Sequence, residues 1–136
     1  MYQYATRVYY EDTDAGGIVY HANYLKFMER CRCEWLDDLG YSVVRLQQDY
    51  GVNFVVADAS LKFHAPGKLF DSLTVSCQIL QLRKVQMTLQ QKIYNGEELL
   101  CTGVIKLATL DQASFKLVAL PDALCEAIEN KRNRDD

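Results

Sequence analysis

The feature that most constrains the fold is a change of hydrophobic period near residue 52. In NYLKFMERCRCEWLDDLG, residues 23 to 40, the apolar side chains Tyr24, Phe27, Met28, Cys31, Trp35 and Leu39 recur every three or four positions, the spacing of a helix with a wide apolar face. From Val52 onward VNFVVADASLKFH, DSLTVSCQILQLR and VQMTLQQKIY read as strands. In the last two, Leu73, Val75, Cys77 and Ile79, then Val85, Met87, Leu89 and Ile93, fall on one face. Asn95-Gly96 is a two-residue hairpin signal, with ELLCTGVIKLATLD as the returning strand, so the sheet is at least partly antiparallel. An apolar helix followed by long one-faced strands is satisfied when a curved antiparallel sheet wraps the helix, an α+β arrangement.

Local signals refine this outline. Asn23 is a candidate N-cap, with a start two residues earlier as the alternative, and Gly40 fits the residue after the helix end. SVVRLQQDYG, residues 42 to 51, predicts a second short helix closed by Gly51. Pro66-Gly67 marks a turn, and Pro121 opens a last helix, PDALCEAIENKRN, expected to fray into the charged tail KRNRDD. RVYYE, residues 7 to 11, favours an extended segment; continued to the following acids, it would place Tyr10, Asp12 and Asp14 on one face. A strand as long as Val52 to His64 leaves unpaired backbone groups wherever it forms a sheet edge, a problem solved by pairing with a second copy or by bulges.

The 136 residues suit a single domain, residues 1–136, able to bury roughly two-thirds of the unfolded chain's surface. A net charge of -3 and a pI of about 5.4 argue against a nucleic-acid partner, which needs clustered Lys and Arg. No segment approaches a membrane span, and MYQYATRVYYED lacks the apolar core of a secretory signal, so a cytoplasmic protein is expected. Five cysteines without a CxxC pair suggest reduced core thiols instead of disulfides or a zinc ribbon. A nucleophilic cysteine would need a basic partner, and only His21 and His64 are present to supply one.

The stretch EDTDAGGIVYHANY places Glu11, Asp12 and Asp14 just before Gly16, Gly17 and the long helix. Acids near a helix N-terminus complement its dipole, and alone Asp14 reads as a turn-capping loop carboxylate. Glu11 and Asp12 with His21 could ligate a divalent cation, but one histidine without a second paired motif gives no metal expectation. Ala15 and Gly16 are small in a way that suits close approach of a ligand.

VYYEDTDAGGIVYHANYLKFMERCRCEWL resembles the signature region of hotdog-fold acyl-CoA thioesterases of the 4-hydroxybenzoyl-CoA thioesterase family, most closely their Tol-Pal-associated subfamily. FVVADASLKFHAPGKLFDSL is similar to that subfamily's second strand and Ala-Pro turn. The resemblance implies a hotdog fold: a long central helix wrapped by a curved antiparallel sheet of about five strands, with a C-terminal helix. It implies hydrolysis of a short-chain, aromatic or longer acyl-CoA to free acid and CoA, without a cofactor. It also implies a homodimer or homotetramer whose active site is shared between subunits.

On the same basis Asp14 matches the catalytic aspartate, acting as nucleophile or general base. The amide of His21 matches the position that polarises the carbonyl, its side chain assists substrate or leaving thiolate, and Tyr10 orients the carboxylate or water. Gly16 and Gly17 admit the thioester to the amides that open the helix. Arg83 and Lys84 match a basic loop that contacts the nucleotide, with Lys62 and Lys68 as weaker alternatives, and Glu29 is a reserve carboxylate. The competing reading is a non-catalytic component of an envelope or lipid-synthesis complex that binds acyl thioesters or acyl carrier protein. A hydratase is disfavoured because His64 before Ala65-Pro66 does not resemble the histidine-acid pairing of that class.

Overall fold

The computed structural model describes residues 1–135. Strand β1 (Tyr2–Arg7) is followed by a 3-10 turn (Tyr10–Asp12), helix α1 (Asn23–Asp38) and helix α2 (Val43–Tyr50). Strands β2 (Val52–Phe63), β3 (Ser72–Leu82), β4 (Gln86–Asn95) and β5 (Glu98–Asp111) come next, and helix α3 (Asp122–Asp135) closes the chain. The five strands form one sheet in the order β1-β3-β4-β5-β2, with every neighbouring pair antiparallel. The α+β arrangement expected from the change of period is therefore the one observed.

Helix α1 forms because its apolar residues keep one stripe, and that stripe is buried: Tyr24, Phe27, Met28, Cys31, Trp35 and Leu36 all enter the core. They meet the inward side chains of the sheet, among them Val75, Met87, Leu89, Ile93 and Ile105. Bulges between Val56 and Asp58, Ile79 and Gln81, and Ile93 and Tyr94 add local twist, which curls a sheet about whatever it covers. β5 carries Gly103, where an added Cβ would lie 2.8 Å from Met28 Sδ and 2.9 Å from Leu61 Cδ2. The missing side chain is what lets the Met28 thioether reach the strand.

A polar lock crosses the same interface. Arg32 Nη1 donates to Gln91 Oε1 at 3.0 Å, and Gln91 Nε2 donates to the Met28 carbonyl at 3.0 Å. Gln91 is fully buried on β4 and Arg32 nearly so on α1, and burial pushes the Arg32 guanidinium below its ordinary range. Both groups are satisfied by one another, so the lock fixes helix rotation without leaving a polar group stranded.

Several boundaries differ from the sequence expectation. The first strand ends at Arg7, and Tyr10 to Asp12 turn instead of extending, so Tyr10, Asp12 and Asp14 do not share a strand face. The cause is the Asp12 carboxylate, which accepts the Tyr9 N–H at 2.9 Å and draws the chain inward. Asn23 is the first helical residue, not the cap: the N-cap is Ala22, and the Asn23 amide reaches Asp12 instead. The hairpin turn falls one residue later, on Gly96 and Glu97, with Gly96 at φ +60°. Helix α3 continues through the charged segment to Asp135, where fraying was expected; Asp136 lies outside the described residues. Helix α2 is as expected, with Ser42 Oγ accepting the Arg45 N–H at 3.1 Å and Gly51 closing it.

β2 stands at a sheet edge, as its length made problematic, and Val55 to Ser60 are exposed along it. The opposite edge is the short β1. Gly103→Val should lower unfolding free energy by about 1–3 kcal/mol through overpacking against Met28 and Leu61, measured by chemical denaturation. Gly103→Ala should cost less, since the flexible Met28 thioether can shift.

Candidate active site

The loop between β1 and α1 crosses one end of the sheet. It begins at Val8, which is fully buried and donates its N–H to the Asp71 carbonyl at 3.0 Å. The two aspartates then separate by environment. Asp12 is 3 % exposed: Oδ2 accepts from Tyr9 N, Oδ1 accepts from Asn23 Nδ2 at 2.9 Å, and its carbonyl accepts the Tyr20 N–H at 2.9 Å. It ties the loop's start, its end and the first helical residue together. With both oxygens engaged by protein donors, Asp12 is a structural hub and offers a cation little.

Asp14 is exposed at the tip of the loop, between the bridged residues Thr13 and Val19. Its N–H donates to the Ile18 carbonyl at 2.9 Å, and its Oδ1 accepts the Gly16 N–H at 2.8 Å. A Cβ at Gly16 would sit 3.2 Å from Oδ1, so the glycine leaves space for the carboxylate beside the backbone. Gly17 adopts φ +78°, the left-handed conformation that lets the loop turn back toward Ile18. Asp14 Oδ2 has no hydrogen-bond partner among the described residues, so one oxygen of this carboxylate is open to a water or a carbonyl carbon.

His21 is exposed just before α1, its ring tilted against Tyr20 with centroids 4.5 Å apart. Helix α1 has no side-chain N-cap, since Ala22 occupies that position. The N–H of His21 is likewise unbonded among the described residues, and the helix end carries the positive pole of its dipole. Beside it, Ile18, His21, Tyr24, Phe63, His64 and Pro66 line a cleft of about 330 Å³. Tyr24 accepts the Gly67 N–H at 3.0 Å, burial pushes its phenol above the ordinary range, and its ring lies 5.5 Å from Phe63.

Both histidines of the chain therefore face one cleft. His64 Nε2 lies 3.1 Å from Thr102 Oγ1, and the pairing of β2 with β5 carries it there. No local pattern links position 64 to position 21, because the non-local bridge of Ile18 with Lys68 brings their segments together. Tyr10 is 74 % exposed and edge-on to Phe70 at 5.6 Å.

Arg83 and Lys84 lie at the other end of the sheet. They precede β4 where it meets the end of β5, Gln86 being opposite Ala108, whereas the acid loop sits by Gly67 and Leu100 near the start of β5. The length of β4 separates the two ends by roughly 30 Å. One chain does not bring Arg83 and Lys84 to Asp14.

Burial and bonding disfavour the thiolate at four of the five cysteines. Cys77 is raised well above the ordinary thiol range by its hydrogen bond with Cys31 and by burial, and burial alone raises Cys101 to about 11. Burial also raises Cys33 and Cys125, so the thiolate forms are disfavoured.

The two aspartates should respond differently to substitution. Asp12→Ala strands the Asn23 amide and the Tyr9 N–H, and should cost about 2–3 kcal/mol of stability in denaturant titrations. Asp14→Asn, at an exposed carboxylate, should cost less than about 1 kcal/mol in the same measurement.

Residues 8–128 match the family described as the thioesterase-like superfamily. The chain is 46% identical over 131 residues to the acyl-CoA thioesterase YbgC of Helicobacter pylori, covering 90% of this chain and 96% of that protein. It is 35% identical over 120 residues to the acyl-CoA thioesterase YbgC of Haemophilus influenzae, covering 88% of each. A crystal structure of a probable thioesterase from Bartonella henselae superposes with a TM-score of 0.83 at 34% identity, covering 88% of this chain and 98% of that one. With the sheet-wrapped helix, these likenesses establish that the chain belongs to the thioesterase-like superfamily and has the hotdog fold.

Proposed function

We propose that this protein hydrolyses acyl-CoA thioesters to a free acid and CoA, with Asp14 at the reacting carbon. The observation that carries the catalytic assignment is the contrast within the acid loop. Asp12 is buried and doubly bonded, while Asp14 is exposed with one oxygen open, held by Gly16. In this reading the thioester carbonyl oxygen accepts the unbonded His21 N–H while its carbon meets that open oxygen. The dipole of α1 favours negative charge developing there. Asp14 then either attacks the carbon, giving a mixed anhydride that water opens, or takes a proton from the attacking water. In both routes CoA leaves as a thiolate that must gain a proton, a role the exposed His21 side chain suits.

The cleft lined by Ile18, Tyr24 and Phe63 is the natural receptacle for the acyl group, because it is mostly apolar and opens beside His21. In this reading the exposed Tyr10 orients the carboxylate or water. A homodimer belongs to this reading. The exposed edge of β2 suits antiparallel pairing with the β2 of a second copy. A two-fold axis across β2 reverses strand direction, so it would carry the partner's sheet end that bears the basic turn toward the acid loop. Arg83 and Lys84 enter the reaction only in that way.

Thioesters with short, long and aromatic acyl groups, offered to the purified protein, test the reading directly. Asp14→Asn should reduce kcat by a factor of about 10² to 10⁴ with the melting curve preserved; turnover unchanged by that substitution would remove Asp14 from the mechanism. Sedimentation should find a dimer, and Val56→Lys on the exposed β2 edge should shift it toward monomer. A Val56→Lys dimer as tight as the original would place the subunit contact elsewhere.

A further inference from the structure

We propose that the exposed cluster of Arg7, Tyr9, Tyr10 and Phe70 binds the adenine nucleotide end of the substrate, an inference that rests on the acyl-CoA reading above. Among the described residues Phe70 is one of two non-glycine residues with positive φ, at +66°, where a Cβ meets steric resistance. The turn that imposes this conformation is closed on all sides. Phe70 N donates to the Val8 carbonyl at 2.9 Å, Asp71 N to the Lys68 carbonyl at 3.0 Å, and Lys68 N to Asp71 Oδ2 at 2.9 Å.

The result is a phenyl ring held 45 % exposed in a conformation that glycine or asparagine would adopt more readily. Core packing does not account for it, because the ring is outside the core. Strained positions of this kind gather at ligand sites.

The neighbours of the ring have a chemistry in common. The Arg7 guanidinium carbon lies 5.0 Å from the Phe70 ring centre and 5.9 Å from that of Tyr9, and Arg7 Nε donates to the Phe70 carbonyl at 3.4 Å. Tyr10 meets Phe70 edge-on, its ring plane at 80°. Tyr9 and Tyr10 are 53 % and 74 % exposed. Exposed aromatic rings around a guanidinium match a purine base joined to phosphate: the base stacks on a ring, and the guanidinium fork meets phosphate oxygens. Lys68 adds a second cation on the same turn, and the Asp71 carboxylate is turned onto the Lys68 N–H instead of outward.

Position gives the substrate a direction. Lys68 bridges Ile18, whose carbonyl accepts the Asp14 N–H, so the Phe70 turn abuts the acid loop. Phe70 is two residues beyond Lys68, at most about 7 Å of chain, a span shorter than an extended pantetheine arm. The cluster lies toward β1, where Arg7 is the last residue, and the apolar cleft lies toward the end of β2. A thioester at Asp14 with its acyl group in that cleft therefore projects CoA toward Phe70.

The test compares the acyl-CoA turned over fastest with the N-acetylcysteamine thioester of the same acid, which lacks the nucleotide. Phe70→Asn keeps a residue tolerant of the left-handed turn. It should lower the ratio of kcat/KM for the CoA ester to that for the short thioester roughly tenfold, and Arg7→Gln should act in the same direction. Calorimetric binding of adenosine 3′,5′-bisphosphate should weaken by a similar factor in both variants. An unmoved ratio in a protein that still hydrolyses both thioesters overturns the nucleotide site while hydrolysis stands. A fall confined to an Arg83→Ala, Lys84→Ala double variant also overturns it. If the parent protein hydrolyses neither thioester the acyl-CoA reading fails separately, and the bisphosphate titration alone decides the cluster: weaker binding in Phe70→Asn supports it, unchanged binding overturns it.

Discussion

The structure depends on the seating of α1 in the curled sheet. A 16-residue helix with one apolar stripe meets a sheet with one apolar face, and each buries the other. The fit is set by Gly103, where Met28 occupies the space of the absent side chain, and by the bond from Arg32 to Gln91, which fixes rotation about the helix axis. Because the helix is held at that height and angle, its N-terminus emerges at the sheet end where the acid loop crosses. The position of the acid loop is thus a consequence of packing along a helix about 24 Å long, given the rise per residue.

Asp12 transmits that placement to the loop. Its carboxylate joins Tyr9 to Asn23, so the loop cannot move without moving the first turn of α1. Asp14, two positions later, has the opposite character, with an exposed carboxylate steadied by one glycine N–H. One acid is rigid support and the other is an open carboxylate on that support, a division that comes from burial and bonding and not from residue type.

Much of the fold could be read from residue order. The helix period from Tyr24 to Leu39, the strand period from Val52 onward and the capping residues Ser42 and Gly51 are local signals, each acting within a few residues, so a linear reading captures them. The errors fell where a distant or competing partner decided. Tyr10 to Asp12 left the strand because Asp12 found the Tyr9 N–H and the Asn23 side chain. Asn23 lost the capping role for the same reason. Gln91 reads as an ordinary polar position within a strand, yet it is buried, because Arg32 comes to meet it from the helix.

By itself the sequence determined the element types, the presence of an acid loop before the helix and the family to which that loop belongs. It could do so because periodicity, capping and motif are properties of neighbours along the chain. Only the tertiary structure decided which aspartate is buried and which is open, that His21 and His64 line one cleft, and that Arg83 and Lys84 stand at the far end of the same sheet. Those facts follow from the strand order β1-β3-β4-β5-β2 and its register. Pairing between strands remote in sequence is fixed by the cooperative burial of a whole sheet face, which no short stretch of residues encodes.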